Sequence, residues 1–114
     1  MLTIDALKAF GANVDEGLTR CMKNEGFYFR LVKMAVQDAG YGKLQAALNE
    51  GNLDAAFEAA HGLKGILANL ALTPILTPVS QMTELLRART KTDYQPLLEQ
   101  MMAKRDELAA ICAE

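Results

Sequence analysis

The chain has 114 residues, 51% of them hydrophobic and 23% charged, and carries a net charge of −2. This length suits a single domain over residues 1–114, and folding at this size buries roughly two-thirds of the unfolded chain's surface, enough for a core without disulfides or a structural metal. No face of the chain accumulates the Lys/Arg excess that a nucleic-acid binder needs. No apolar run is long enough for a bilayer and no secretory signal opens the sequence, so a cytoplasmic protein with no membrane or nucleic-acid partner is expected.

Helical periodicity dominates, and no stretch alternates like a half-buried strand. Leu2–Phe10 is a short helix stopped by Gly11. Asn13 caps a second, with Glu16 in the capping-box position and Val14, Leu18 and Cys21 or Met22 as its apolar stripe. Asn24 opens a longer helix in which Phe27, Leu31, Met34 and Ala35 recur at three and four, and Gly40, Tyr41 and Gly42 form its stop. Lys43–Glu50 is a small helix with Leu44 and Leu48 one turn apart. Gly51 ends it and Asn52 caps the next.

The most regular stretch is Leu53–Leu70, where Leu53, Ala56, Ala60, Leu63, Leu67 and Leu70 share one stripe. A helix from about Leu76 to Arg89 follows, with Val79, Met82 and Leu86 inward. Its start is open between Thr73-Pro74 and Thr77-Pro78, each a cap followed by proline. Thr92 and Gln95 form a further capping box, and the last helix runs to about Ala110 with Leu98, Met101, the Arg105 stem, Leu108 and Cys112 in register. The five methionines at 22, 34, 82, 101 and 102 are expected as core filler, and Cys21 and Cys112 as reduced thiols in the core. The spacing predicts an all-α fold, an antiparallel up-down four-helix bundle of 24–39, 53–70, 76–89 and 93–112, with short additional N-terminal helices over one end.

One residue stands out chemically. At 100° per residue the apolar stripe of 53–70 centres roughly 130° from His61, so the only histidine of the chain points outward. Asp54, Glu58, Lys64, Gly65, Ala68 and Asn69 share its surface. Gly65 lies four residues on, directly adjacent, and Gly62 lies beside it. Each glycine costs the helix about 1 kcal/mol relative to alanine. Together they leave the imidazole unshielded and let a large object approach the backbone. Lys64 can bring an ammonium to an anion carried on the ring. Imidazole is nucleophilic near neutrality, and phosphoryl transfer from an aspartyl phosphate needs in-line access and charge neutralisation more than proton chemistry. A lone surface histidine is ordinarily only that. His, Lys and Gly at spacings of three and four carry the functional reading.

The run Ala60-His61-Gly62-Leu63-Lys64-Gly65 followed by Asn69 resembles the histidine-containing phosphotransfer (HPt) family, whose usual signature is His-x-Leu-Lys-Gly with a downstream Asn. Gly17-Leu18-x-Arg20 with Phe27-Tyr28 is similar to the lead-in of free-standing bacterial members. Ala71 stands where the family often has glycine, Ile66 where it often has a small residue, and Pro74 and Pro78 are unusual for it.

The resemblance implies a four-helix bundle that is phosphorylated on His61, with Lys64 steadying the phosphoryl group. Gly65 would permit docking, and Asn69 would join the docking face together with Gly62 and Ala68. It implies response-regulator receiver domains and a hybrid sensor kinase as partners, with Mg²⁺ on the receiver and no cofactor or metal of the chain's own. No nucleotide-binding motif is present, so a monomeric phosphocarrier without kinase activity is expected. A non-transferring scaffold that binds receivers is the alternative. An enzyme using His61 as general base would need a pocket and a partner to orient the ring, which a convex helix face lacks.

Overall fold

The computed structural model describes residues 1–113, and the regular structure among them is entirely helical. Seven helices follow in order: α1 (Ile4–Phe10), α2 (Val14–Arg20), α3 (Glu25–Val36), α4 (Gly40–Asn49), α5 (Leu53–Asn69), α6 (Thr73–Arg87) and α7 (Gln95–Ala113). They form an elongated helical bundle of 40 × 25 × 19 Å. Short connections make α4, α5, α6 and α7 successive antiparallel neighbours. Helix α5 lies between α4 and α6, α7 packs on α6, and α3 packs on α7.

Local capping sets the starts of the helices. Asn13, Asn24 and Asn52 each accept a hydrogen bond from the backbone N–H three residues on, which satisfies one orphan donor of each first turn. Gly11 and Gly51 terminate α1 and α4 in the left-handed region, at φ 108° and 71°. In the core, Ala56, Ala60, Leu63 and Leu67 of α5 meet Ile75, Val79, Met82 and Leu86 of α6 and Tyr41, Leu44 and Ala47 of α4, all buried. Arg105 of α7 lays its guanidinium over the Tyr41 ring at 5.4 Å, so its stem packs inward while its charge serves the α4–α7 contact.

The structure corrects several sequence expectations. Gly40 does not stop α3. The helix ends at Val36 with Gln37 as its cap, and Gly40 opens α4. The reason is close approach: a Cβ on Gly40 would lie 2.9 Å from Cγ and Cδ2 of Leu63. Helix α4 is thereby a full member of the bundle rather than a small connector. The inward face of α3 is rotated by one residue from the expected one. Tyr28, Val32, Ala35 and Val36 are buried, whereas Phe27 and Leu31 are half-buried and Met34 is 61% exposed. Met22 is also exposed, in a left-handed conformation after α2. Of the five methionines taken as filler, Met82 and Met101 are fully buried and Met102 partly so.

Of the two starts the sequence offers, helix α6 takes the earlier, at Thr73, with Pro74 in its first turn and Pro78 inside. Pro78 has no N–H to give to the Pro74 carbonyl, so α6 lacks that one i→i−4 bond near its start. Asp93, rather than Thr92, caps α7 by accepting the Gln95 N–H at 3.0 Å. Both cysteines are free thiols, Cys21 buried and Cys112 half-buried, and burial pushes both thiols up from their ordinary pKa.

The segment before residue 39 clasps the end of α5. The Asn13 N–H donates to the Ala71 carbonyl at 3.0 Å, the Tyr28 hydroxyl donates to the Leu70 carbonyl at 2.9 Å, and the Arg20 guanidinium donates to the Ala68 carbonyl. These bonds satisfy carbonyls that a helix C-terminus leaves without an intrahelical partner. Burial first, and the neighbouring Cys21 second, push the Tyr28 hydroxyl up to about 12, so it stays protonated and able to donate well above neutral pH.

Candidate functional site

Helix α5 carries His61 at its middle, on the side turned from the core. His61, Gly62, Gly65 and Asn69 are exposed, Lys64 and Ala68 partly so. A Cβ placed on Gly62 or Gly65 would meet nothing within 4 Å. The fold therefore has no packing use for either glycine, although each weakens the helix. Among the described residues no hydrogen bond reaches the imidazole of the exposed His61.

The surroundings divide into a charged side and an apolar side. On the charged side, Lys64 reaches across to α6, its Nζ 3.5 Å from a Glu84 carboxylate oxygen. Arg87 sits 3.5 Å from the other oxygen. The Arg87 hydrogen bond, and more weakly Lys64, hold the Glu84 carboxyl below the usual range. At this exposure the ion pairs add little stability. Their effect is to hold two cations, Lys64 of α5 and Arg87 of α6, on the one carboxylate of Glu84. Phe57, one turn before His61, stacks on it with centroids 5.4 Å apart. The guanidiniums of Arg87 and Arg89 lie 5.1 and 5.0 Å from the Phe57 centroid.

On the apolar side, toward the end of α5, Met34, Leu31 and Ile66 flank Asn69 in a shallow groove of about 270 Å³ between α3 and α5. The carbonyl of Ala68 is engaged by Arg20, so this end of the surface is held by α2 as well.

Residues 39–114, two-thirds of the chain, match the family model described as Hpt domain. The chain belongs to the Hpt family. It is accordingly a histidine phosphotransfer module of two-component phosphorelay signalling, a class of phosphocarrier that interacts with receiver domains of response regulators. No curated protein and no solved structure matches the chain. No helix among the described residues is long and apolar enough to cross a membrane.

The departure noted at Ala71 has a structural counterpart. Ala71 adopts φ 56° just after α5, the left-handed position at which glycine is cheapest, and alanine there costs roughly 1 kcal/mol. Three features of the site escaped the sequence. The Phe57–His61 stack has a local signal that would find it, a spacing of four within one helix. Glu84 and Arg87 depend on how α6 registers against α5, and Arg20 on how the N-terminal helices fold back. No local signal carries either.

Proposed function

We propose that His61 is the phosphoryl acceptor of this Hpt protein, taking the group from a receiver-domain aspartate and passing it to a second receiver. In the forward step the lone pair of one imidazole nitrogen attacks phosphorus in line with the departing carboxylate oxygen. The N–P bond forms as the O–P bond breaks, and the bonding pair leaves with the aspartate, whose charge the receiver's Mg²⁺ offsets. Onward transfer is the same step reversed on another receiver. Lys64 leaves Glu84 to steady the phosphoryl oxygens, Gly62 and Gly65 let the receiver's backbone close on α5, and Asn69 with Ala68 belongs to the surface it covers.

The observation that carries this reading is the pair of helix-interior glycines beside an exposed imidazole, each opening onto empty space. The fold gains nothing from them, whereas a docking partner gains approach to the backbone. The apolar side chains of Met34 and Ile66, exposed next to them, supply the non-polar contact such docking requires.

Incubation with a phosphorylated receiver and Mg²⁺ tests the proposal. The expected product is an acid-labile, base-stable label that maps to the peptide containing residue 61, the only histidine in the sequence, and ATP alone should give no label. A label with the base-sensitive behaviour of an acyl phosphate, or one mapping elsewhere, would overturn the assignment.

A second expectation concerns charge. Lys64→Ala is expected to slow single-turnover transfer roughly 10-fold, the scale of one lost charge-assisted hydrogen bond in a solvated site. Its thermal midpoint should stay close to that of the parent, since the Lys64–Glu84 pair is exposed. An unchanged rate would assign phosphoryl stabilisation wholly to the partner.

A further inference from the structure

We infer that Phe57 is a positioning residue for His61: its ring, fixed by the guanidiniums of Arg87 and Arg89, sets the plane in which the imidazole stands. This rests on the reading of His61 as the phosphoryl acceptor and adds to it the device that orients the nucleophile.

An exposed histidine in the middle of a helix has a broad χ2 well, and nothing in its rotamer preferences selects one ring orientation. In-line attack on phosphorus does select one, because the nitrogen lone pair must point along the bond that breaks, and small misplacements are costly. Nucleophilic histidines are commonly oriented by a hydrogen bond to the second ring nitrogen. Among the described residues none is made to His61. The contact that remains is the ring of Phe57, at 5.4 Å with planes inclined by 20°, an offset stack of the kind aromatic pairs prefer. A stack fixes the plane while leaving both nitrogens free, which a hydrogen bond would not.

Phe57 is in turn held. Arg87 and Arg89 bring cationic carbons to 5.1 and 5.0 Å from its centroid. Arg89 is pinned by the Asp54 carboxylate and the Leu86 carbonyl, each at 2.6 Å, and Arg87 by Glu84. Arg89 also occupies the left-handed residue that ends α6, at φ 53°, a position where glycine would relieve strain. A strained arginine whose guanidinium is doubly bonded and laid on the ring that stacks on the nucleophile is the pattern expected where strain serves a site.

The test compares wild type, Phe57→Leu and Phe57→Tyr in transfer from a phosphorylated receiver, alongside ¹H NMR of the imidazole, whose signals are assignable because the chain has one histidine. Phe57→Leu is expected to lower the saturating transfer rate about 10-fold with receiver KM unchanged. It should also abolish the upfield ring-current displacement of the imidazole protons, and Phe57→Tyr should restore both. A labelled wild type beside a Phe57→Leu variant of equal rate would overturn this inference alone. So would a lowered rate that appears only as a raised KM with the ring-current displacement intact. A wild type that takes no label at residue 61 would remove the relay reading and this inference with it.

Discussion

Gly65→Leu is expected to cut phosphoryl exchange with a receiver at least ~100-fold while leaving the bundle folded and raising its thermal midpoint by about 4 °C. The two effects have one cause. A Cβ at position 65 meets nothing within 4 Å, so a leucine projects outward without clash. The helix then recovers the roughly 1 kcal/mol that glycine forfeits in its interior. The same side chain stands one turn from His61, where the backbone of a receiver must close to bring its aspartate in line. A displacement of about 1 Å is enough to cost two orders of magnitude in such a transfer. Gly65→Ala, with one methyl, is expected to fall between the two in rate and to match leucine in stability. Circular dichroism melts and single-turnover transfer decide it. A Gly65→Leu protein that transfers at the parental rate would show that the receiver does not approach α5 there, and the docking argument would have to move to another face.

Much of the scaffold that presents this surface is legible in the residues themselves. The three asparagine caps, the left-handed glycines at 11 and 51 and the stripe of α5 are local signals, each confined to a few residues of one helix. The His61-Lys64-Gly65 constellation is legible for the same reason, since spacings of three and four within a helix fix adjacency without any tertiary knowledge.

The misreadings share the opposite property. Glycine at position 40 signals either a left-handed turn or a close approach, and only the presence of Leu63 2.9 Å from its missing Cβ chooses the second. Along α3, apolar residues stand on both candidate faces, and the choice between Phe27-Leu31-Met34 and Tyr28-Val32-Val36 is made by α7 and by the Leu70 carbonyl that receives the Tyr28 hydroxyl. Thr73-Pro74 and Thr77-Pro78 carry the same local start signal, and only the packed structure selects the first, which leaves Pro78 inside α6. Glu84, Arg87 and Arg89 reach the site only through the register of α6 on α5. What the sequence left open is the information that resides in inter-helix packing.

The same chemical change at another glycine should act in the opposite sense. Gly17→Ala is expected to destabilise the protein by about 2–4 kcal/mol and to lower its thermal midpoint by roughly 10 °C. Gly17 of α2 is buried, and a Cβ there would lie 2.7 Å from the Leu70 carbonyl oxygen and from Cε1 and the hydroxyl of Tyr28. No rotamer change removes a backbone oxygen, so α2 must move away or Tyr28 must give up its 2.9 Å bond to Leu70. Overpacking costs roughly 1–3 kcal/mol and a buried carbonyl left without its donor a similar amount, against about 1 kcal/mol returned by alanine's helix propensity. The consequence reaches the site, because Asn13, Arg20 and Tyr28 together hold the carbonyls at the end of α5, where Ala68 and Asn69 lie. Residues 1–38, ahead of the matched span 39–114, thus act as a clasp on the helix that bears His61. Urea unfolding of Gly17→Ala beside Gly65→Ala measures the contrast. Equal midpoints for the two variants would mean that α2 yields freely and that the clasp does not hold α5.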